Sequence, residues 1–265
     1  MRVHPVSVQR VELDGVEVEY QLTGAGGPVV LPHARPFVMW YQPLTAVLRN
    51  EKVLRYRREA TATGWSVEDD ARLCVALLAH LGLEQVHVVG HSYGGLVALE
   101  LARRGGPGLR SIALLEPATV GLLPPDEAAI QRAPILELAR SAGAATAMDR
   151  FLRAVCGADG PEVLDALVPG ALTDALAHSA GFFGAELPAA VRWSFAASDA
   201  LTVDVPVLHL RGSRSAPRFA ESAALLEDWF PAADHRVLDV SHFLMAQAPE
   251  ATAELLDRFW RTAGR

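Results

Sequence analysis

Lysine is almost missing from this chain: Lys52 is the only one among 24 basic side chains, the rest being arginine. With so much alanine, the skew fits a GC-rich coding sequence and carries no functional meaning. Cysteine is scarce too. Cys74 and Cys156 are too few for a disulfide framework or a cysteine zinc site. Cys74, set among Leu73, Val75, Leu77 and Leu78, reads as a buried thiol. No apolar run approaches the roughly 20 residues that span a bilayer. The opening MRVHPVSVQRVELDG has no charged leader followed by an apolar segment, so the expectation is a cytoplasmic protein without a membrane partner. An excess of positive charge is also lacking. The balance of 24 basic against 31 acidic side chains gives −7, which argues against nucleic-acid binding.

What is present is apolar and patterned. Hydrophobic residues make up 51% and charged ones 21%, enough burial potential to exclude disorder. At roughly 150 residues per domain, 265 residues suggest one core with room for an insertion. Val8–Leu13 and Val16–Leu22 alternate around Asp14-Gly15, a hairpin signal. Pro28–Pro32, Lys52–Tyr56, Val86–Val89 and Leu109–Leu115 read as strands, the apolar runs among them as buried parallel ones. Ser66 before Glu68, Asp69 and Asp70 caps a helix running through Ala71–Leu81. A second helix, Leu96–Arg104, ends at Gly105-Gly106-Pro107. Residues 118–188 contain no convincing strand. Val205–Leu210, Pro217–Phe230, His235–Val240 and Pro249–Trp260 then resume strand, helix, strand, helix. The pattern predicts an α/β fold, a doubly wound and mostly parallel sheet, with residues 1–117 and 189–265 as core and 118–188 as a helical cap insertion.

The most informative stretch is VHVVGHSYGGLVALELARR over 86–104, which sets Gly90-x-Ser92-x-Gly94 between a buried strand and a helix. A serine on a sharp turn needs small neighbours, and the glycines supply them. The turn lifts the hydroxyl above the sheet and brings the Tyr93 amide to the same space at a helix N-terminus. The competing reading is an ordinary strand–helix turn with a capping serine. A serine hydroxyl needs a base to take its proton. Of nine histidines, His242 in Ser241-His242-Phe243 follows a strand and precedes the final helix, so its loop shares a sheet edge with Ser92. His91 adjoins Ser92, but neighbours on a tight turn point apart; His87 reads as a packed core histidine.

Through GHSYGG at 90–95, the strand PVVLPHARPFVMW and DVSHFLMAQAPE at 239–250, the chain resembles the α/β-hydrolase family over nearly its whole length. The resemblance implies Ser92 as nucleophile and His242 as general base and then acid. It also marks two departures. The family's usual aspartate position, after the penultimate strand in LHLRGSRSAP at 208–217, holds Ser215, with no carboxylate in that segment. Glu116, at the end of the strand after the nucleophile helix, is the expected replacement, as in a subgroup of the family that takes its acid there; otherwise the site is a Ser–His dyad. Asp239 is too close along the chain to His242 to be preferred. In the oxyanion segment Pro32-His33-Ala34-Arg35-Pro36, the usual glycine is Ala34 and Arg35 holds the donor position beside Tyr93. Arg55-Tyr56-Arg57-Arg58-Glu59 reads as an exposed loop without chemistry.

Aromatics in or after the cap (Phe151, Phe182, Phe183, Trp193, Phe195), with Trp40 and Tyr41, are candidates for an apolar pocket. Trp40, His33, Phe183 and Trp193 are expected to bind substrate. No motif calls for a cofactor, and no carboxylate–histidine spacing calls for a metal. The partner expected is a small molecule, and the chain a monomer or homodimer. The leading reading is a serine hydrolase acting on a small or medium apolar ester, lactone or thioester through an acyl-enzyme. The alternatives are a lyase, C–C bond hydrolase or cyclase using the same pocket, and a ligand-binding protein on a retired hydrolase fold.

Overall fold

A computed structural model describes residues 8–58, 64–106 and 108–263. The start of the opening stretch (residues 1–7), Glu59 and Pro107, on which readings above fall, lie outside them. Eight strands form one sheet: β1 (Gln9–Leu13), β2 (Val16–Thr23), β3 (Pro28–Leu31), β4 (Lys52–Arg58), β5 (Val86–Ser92), β6 (Leu109–Pro117), β7 (Val207–Gly212) and β8 (Asp234–Leu238). Their spatial order is β1-β2-β4-β3-β5-β6-β7-β8. The first hairpin turns at Asp14-Gly15, both with positive φ (51° and 79°), and pairs Leu13 with Val16. β2 is antiparallel to both neighbours, whereas β4 through β8 pair in parallel. This is the doubly wound, mostly parallel sheet that the alternating pattern predicts.

Parallel strands need covering on both faces. Helices α1 (Gln42–Val47), α2 (Val67–His80) and α3 (Tyr93–Arg103) precede β6. α2 begins in a reciprocal capping box: the Ser66 hydroxyl accepts from Asp69 N–H at 3.1 Å and the Asp69 carboxylate accepts from Ser66 N–H at 2.9 Å. Between β6 and β7 the described chain has no strand. It runs as α4 (Pro125–Ala142), α5 (Ala144–Cys156), α6 (Gly160–Leu167), α7 (Ala171–Ala177), α8 (Ser179–Gly181), a π-helical turn at Phe182–Glu186, α9 (Leu187–Arg192) and α10 (Ala197–Ala200). After β7 come α11 (Pro217–Trp229), α12 (Leu244–Gln247) and α13 (Pro249–Ala263). None of the described helices is long and apolar enough to cross a membrane.

One expectation fails outright. Arg55–Arg58 is strand, not exposed loop, because antiparallel pairing with β2 carries β4 on to Arg58 opposite Val18. Tyr56 and Arg58 are buried, and Arg58 is held by Asp70 at 3.0 Å and Glu186 at 2.5 Å. Cys74 is buried as expected, and His87 sits inside β5 with its Nδ1 2.6 Å from the Ser111 hydroxyl.

Burial also sets the acid response. It lowers His33 from the ordinary imidazole value to about 3 and His209 to about 4. Between those values and about 6.5 the unfolded chain binds protons that the folded chain refuses, so stability falls as pH falls. Asp70, raised by burial to about 6, acts in the opposite sense below that value but is a single group. The urea midpoint is therefore expected to drop between pH 6.5 and 4, and to drop less steeply in His209→Gln. An unchanged slope in that variant would refute the assignment.

Candidate active site

Because β5, β6, β7 and β8 run in parallel, their C-terminal ends lie along one edge of the sheet, where ligands of open α/β sheets bind. Ser92 ends β5 with φ 51° and ψ −117° at the mouth of α3. That conformation is costly for a residue with a side chain. It survives because the surrounding backbone is packed too closely to relax. A Cβ on Gly94 would stand 1.8 Å from the Pro32 carbonyl oxygen, one on Gly90 2.2 Å from that of Gly94, and one on Gly95 2.6 Å from Pro117 Cβ. These glycines let the oxyanion segment, the serine turn and the end of β6 converge. Tyr93 is the first residue of α3, so its N–H has no partner within the helix.

β6 ends on a second residue in left-handed backbone, Glu116, with φ 42°. Its buried carboxylate collects three donors. Oε1 accepts from Gly212 N–H at 2.7 Å; Oε2 accepts from the Ser215 hydroxyl at 2.8 Å and lies 2.8 Å from Nδ1 of His242. The position where an aspartate was expected thus holds a hydrogen-bond donor, and the carboxylate that meets it comes from the neighbouring strand. With Nδ1–H committed to Glu116, His242 has Nε2 as its basic nitrogen. Asp239 is taken up elsewhere, by the Ser213 hydroxyl at 2.9 Å.

His242 is gripped from two further sides. Phe219 stacks on its ring at 4.3 Å between centroids, and His91 lies at 4.3 Å with Nε2 2.7 Å from the His242 carbonyl oxygen. Burial and the neighbouring His242 hold the His91 pKa well below the usual imidazole value, so His91 is neutral and donates Nε2–H to that carbonyl. The rule that turn neighbours point apart explains why His91 does not serve Ser92. The same geometry delivers it to the histidine loop, a role that no sequence signal announces.

Ser92 and Tyr93 open into a cavity enclosing about 460 Å³ of atom-free space, mouth included. Phe37, Phe151, Phe182, Leu187 and Phe219 give it an apolar wall, and Arg132 and Arg218 complete it. The four expected substrate-binding residues are not part of that wall. Trp40 is buried against Phe37, His91 and Phe243; His33 packs beside Tyr41 and Tyr56; Phe183 lies against Phe151 and Phe182; and Trp193 donates its indole N–H to Glu100 at 2.9 Å. Aromatic spacing alone does not separate a pocket wall from the layer behind it.

The oxyanion expectation also needs correcting. Arg35 N–H is not a spare donor: it bonds Oε1 of the fully buried Glu186 at 2.8 Å, the same oxygen that binds Arg58. A buried carboxylate demands donors, and this one takes the oxyanion segment's amide. Of the two expected donors, Tyr93 N–H is the one with no such commitment.

The close approach at Gly94 is directly testable. Gly94→Ala forces its methyl group into the Pro32 carbonyl and is expected to cost about 2 kcal/mol or more, on the scale of overpacking. Denaturant titration checks it, and wild-type stability would contradict the packing described.

The sequence profile of the alpha/beta hydrolase family matches residues 18–255. A non-heme haloperoxidase from Rhodococcus erythropolis is 32% identical over 121 residues, 42% of this chain and 43% of that protein. The chain spans under half the length of the curated relatives it matches. Among solved structures, the enol-lactonase from Burkholderia xenovorans LB400 superposes with a TM-score of 0.80 at 21% identity, over 96% of this chain and 100% of that one. A thermophilic esterase from Thermogutta terrifontis gives 0.80 at 21% identity, over 97% and 100%. These two likenesses concern the fold. With a profile match over most of its length and the sheet described above, the chain belongs to the alpha/beta hydrolase family.

Proposed function

We propose that the protein is a serine hydrolase that cleaves a small or medium ester, lactone or thioester through an acyl-enzyme on Ser92. The observation that carries this reading is the 2.8 Å contact between His242 and Glu116, both buried on the sheet edge where β5 ends in Ser92. Glu116 fixes the imidazole with Nδ1 protonated and stabilises the imidazolium that forms when Nε2 takes the Ser92 proton. The serine oxygen then adds to the substrate carbonyl. As the tetrahedral intermediate collapses, the leaving group departs with the proton held on His242. Water attacks the acyl-enzyme in the second half, giving its proton to His242, which returns it to Ser92 as the acid is released.

The developing oxyanion takes Tyr93 N–H as its first donor. Arg35 N–H joins it only by leaving Glu186, so closure of the hole is coupled to the buried carboxylate. Residues 118–188 serve as the cap, supplying Phe151, Phe182 and Leu187 to the apolar wall of the cavity. The lactonase and esterase names of the two structural neighbours agree with this class of chemistry.

The test is a fluorophosphonate probe followed by substrate kinetics. Wild-type protein should be labelled at Ser92, and Ser92→Ala should not be labelled. Glu116→Gln keeps the shape of the carboxylate but changes its donor pattern, and is expected to lower kcat by up to about 10⁴-fold, the scale seen when the acid of such a triad becomes an amide. Labelling that persists in Ser92→Ala, or full activity in Glu116→Gln, overturns the assignment.

A further inference from the structure

The cavity at Ser92 has a charge arrangement that hydrolysis of a purely apolar ester does not need. Arg132, from α4, and Arg218, from the first turn of α11, both line it. Among the described residues neither arginine forms an ion pair with a carboxylate. The Nε of each is buried without a hydrogen-bond partner. Arg218 donates to the Ala154 carbonyl, a neutral acceptor, and its guanidinium lies over the Phe219 ring at 5.6 Å. The buried carboxylate of the site, Glu116, is already engaged by Gly212, Ser215 and His242.

The pair is costly as it stands. Burial lowers the pKa of both guanidinium groups, Arg132 to about 10, and for Arg132 the charge of Arg218 adds to the effect. Arg218 also sits in the first turn of a 13-residue helix that has no acidic residue there and no side-chain cap, so the helix dipole opposes its charge. Other buried or half-buried arginines are compensated differently: Arg57 pairs with Asp174, Arg58 with Asp70 and Glu186, and Arg55 bonds the Gln21 amide oxygen. What sets Arg132 and Arg218 apart is that both line the cavity at Ser92. A second cavity shares Arg132, Phe151, Val155 and Arg218 with the first and adds the exposed Arg150, so the arginine pair forms the wall between the two. No acidic residue lines either cavity.

We infer that the substrate carries a free carboxylate, which Arg132 and Arg218 bind while the scissile carbonyl lies at Ser92. Two guanidinium groups present paired donors suited to a planar carboxylate, and the low-dielectric aromatic wall strengthens the attraction. The anion completes the pair's missing partner and orients a flexible acyl chain whose methylene part rests on Phe151 and Phe182. This inference rests on the serine-hydrolase reading for its placement of the carbonyl, but the anion site itself does not depend on turnover.

The experiment separates the two. Wild-type protein is assayed with 4-nitrophenyl monoesters of dicarboxylic acids of four to eight carbons and with the same compounds capped as methyl esters. At least one monoester should exceed its capped counterpart tenfold or more in kcat/KM. In Arg132→Gln and in Arg218→Gln that ratio should fall to near one, Arg132→Lys should restore part of it, and Arg140→Gln, exposed on the same α4 and paired with Glu137, should keep it. In parallel, Ser92→Ala is titrated calorimetrically with the monomethyl and dimethyl esters of the same diacids. It should bind a monomethyl ester at least tenfold more tightly, and lose the difference when Arg132→Gln is added. Equal turnover and equal binding of charged and capped compounds overturn the carboxylate site, as does a preference that survives both glutamine variants. Selective binding to Ser92→Ala without any turnover by the wild type upholds the carboxylate site and removes the serine chemistry.

Discussion

The hydrogen bond between Glu116 and His242 depends on a backbone that almost any other sequence would relax. Both Ser92 and Glu116 stand in left-handed backbone at the ends of adjacent parallel strands, at φ 51° and 42°. Each such residue costs about 1–3 kcal/mol. The cost is local, while the restraint comes from the whole core: β5 and β6 carry the fully buried Val89, Ile112, Leu114 and Leu115, and α3 is pressed onto their neighbourhood through Gly94 and Gly95. Relaxing either residue would turn its side chain away from the common edge. The strain therefore positions the groups on which the proposed chemistry rests.

A second buried network ties the helical segment to that edge. Arg58 on β4 binds Asp70 on α2 and Glu186 from the π-helical turn; Tyr93 donates its hydroxyl to Asp70; and Arg35 N–H binds Glu186. The network joins the segment after β3, through Arg35, to Tyr93 beside Ser92 and to Glu186 in the helical stretch between β6 and β7. Breaking a buried pair of this kind leaves an uncompensated charge, so the members are held together more firmly than their number suggests. The Arg35 amide is thereby tied, through Glu186, to the helical segment between β6 and β7.

Much of this was legible in the chain. Ser92 between glycines, Glu116 at a strand end and His242 after the last strand are visible because each lies where periodicity changes, and the sheet order follows from the alternation of strands and helices. The arginine run at 55–58 misled for an instructive reason: charge density suggests solvent, but the partners that bury Arg58, Asp70 and Glu186, are 12 and 128 positions away. The pocket aromatics misled similarly. Phe182 lines the cavity and Phe183 does not, although they are adjacent and both buried, because a helical turn assigns neighbours to different faces. Arg132 and Arg218 had no signal at all. An arginine without a counter-ion is a relation among positions, visible only once the potential partners are placed.

Ser215 shows why the acid could move. Its hydroxyl donates to Glu116 Oε2, and Gly212 N–H to Oε1, so the loop after β7 supplies donors where a carboxylate was expected. An aspartate at 215 would put a second negative charge against Glu116 in a buried space, where two like charges cannot both stay ionised without a large penalty. The serine and the glutamate are thus complementary: moving the acid to β6 requires the vacated position to become a donor. What the fold maintains is the space beside His242 Nδ1, filled by one carboxylate with its remaining lone pairs satisfied. Here β6 delivers it through Glu116, and the loop after β7 is left to donate.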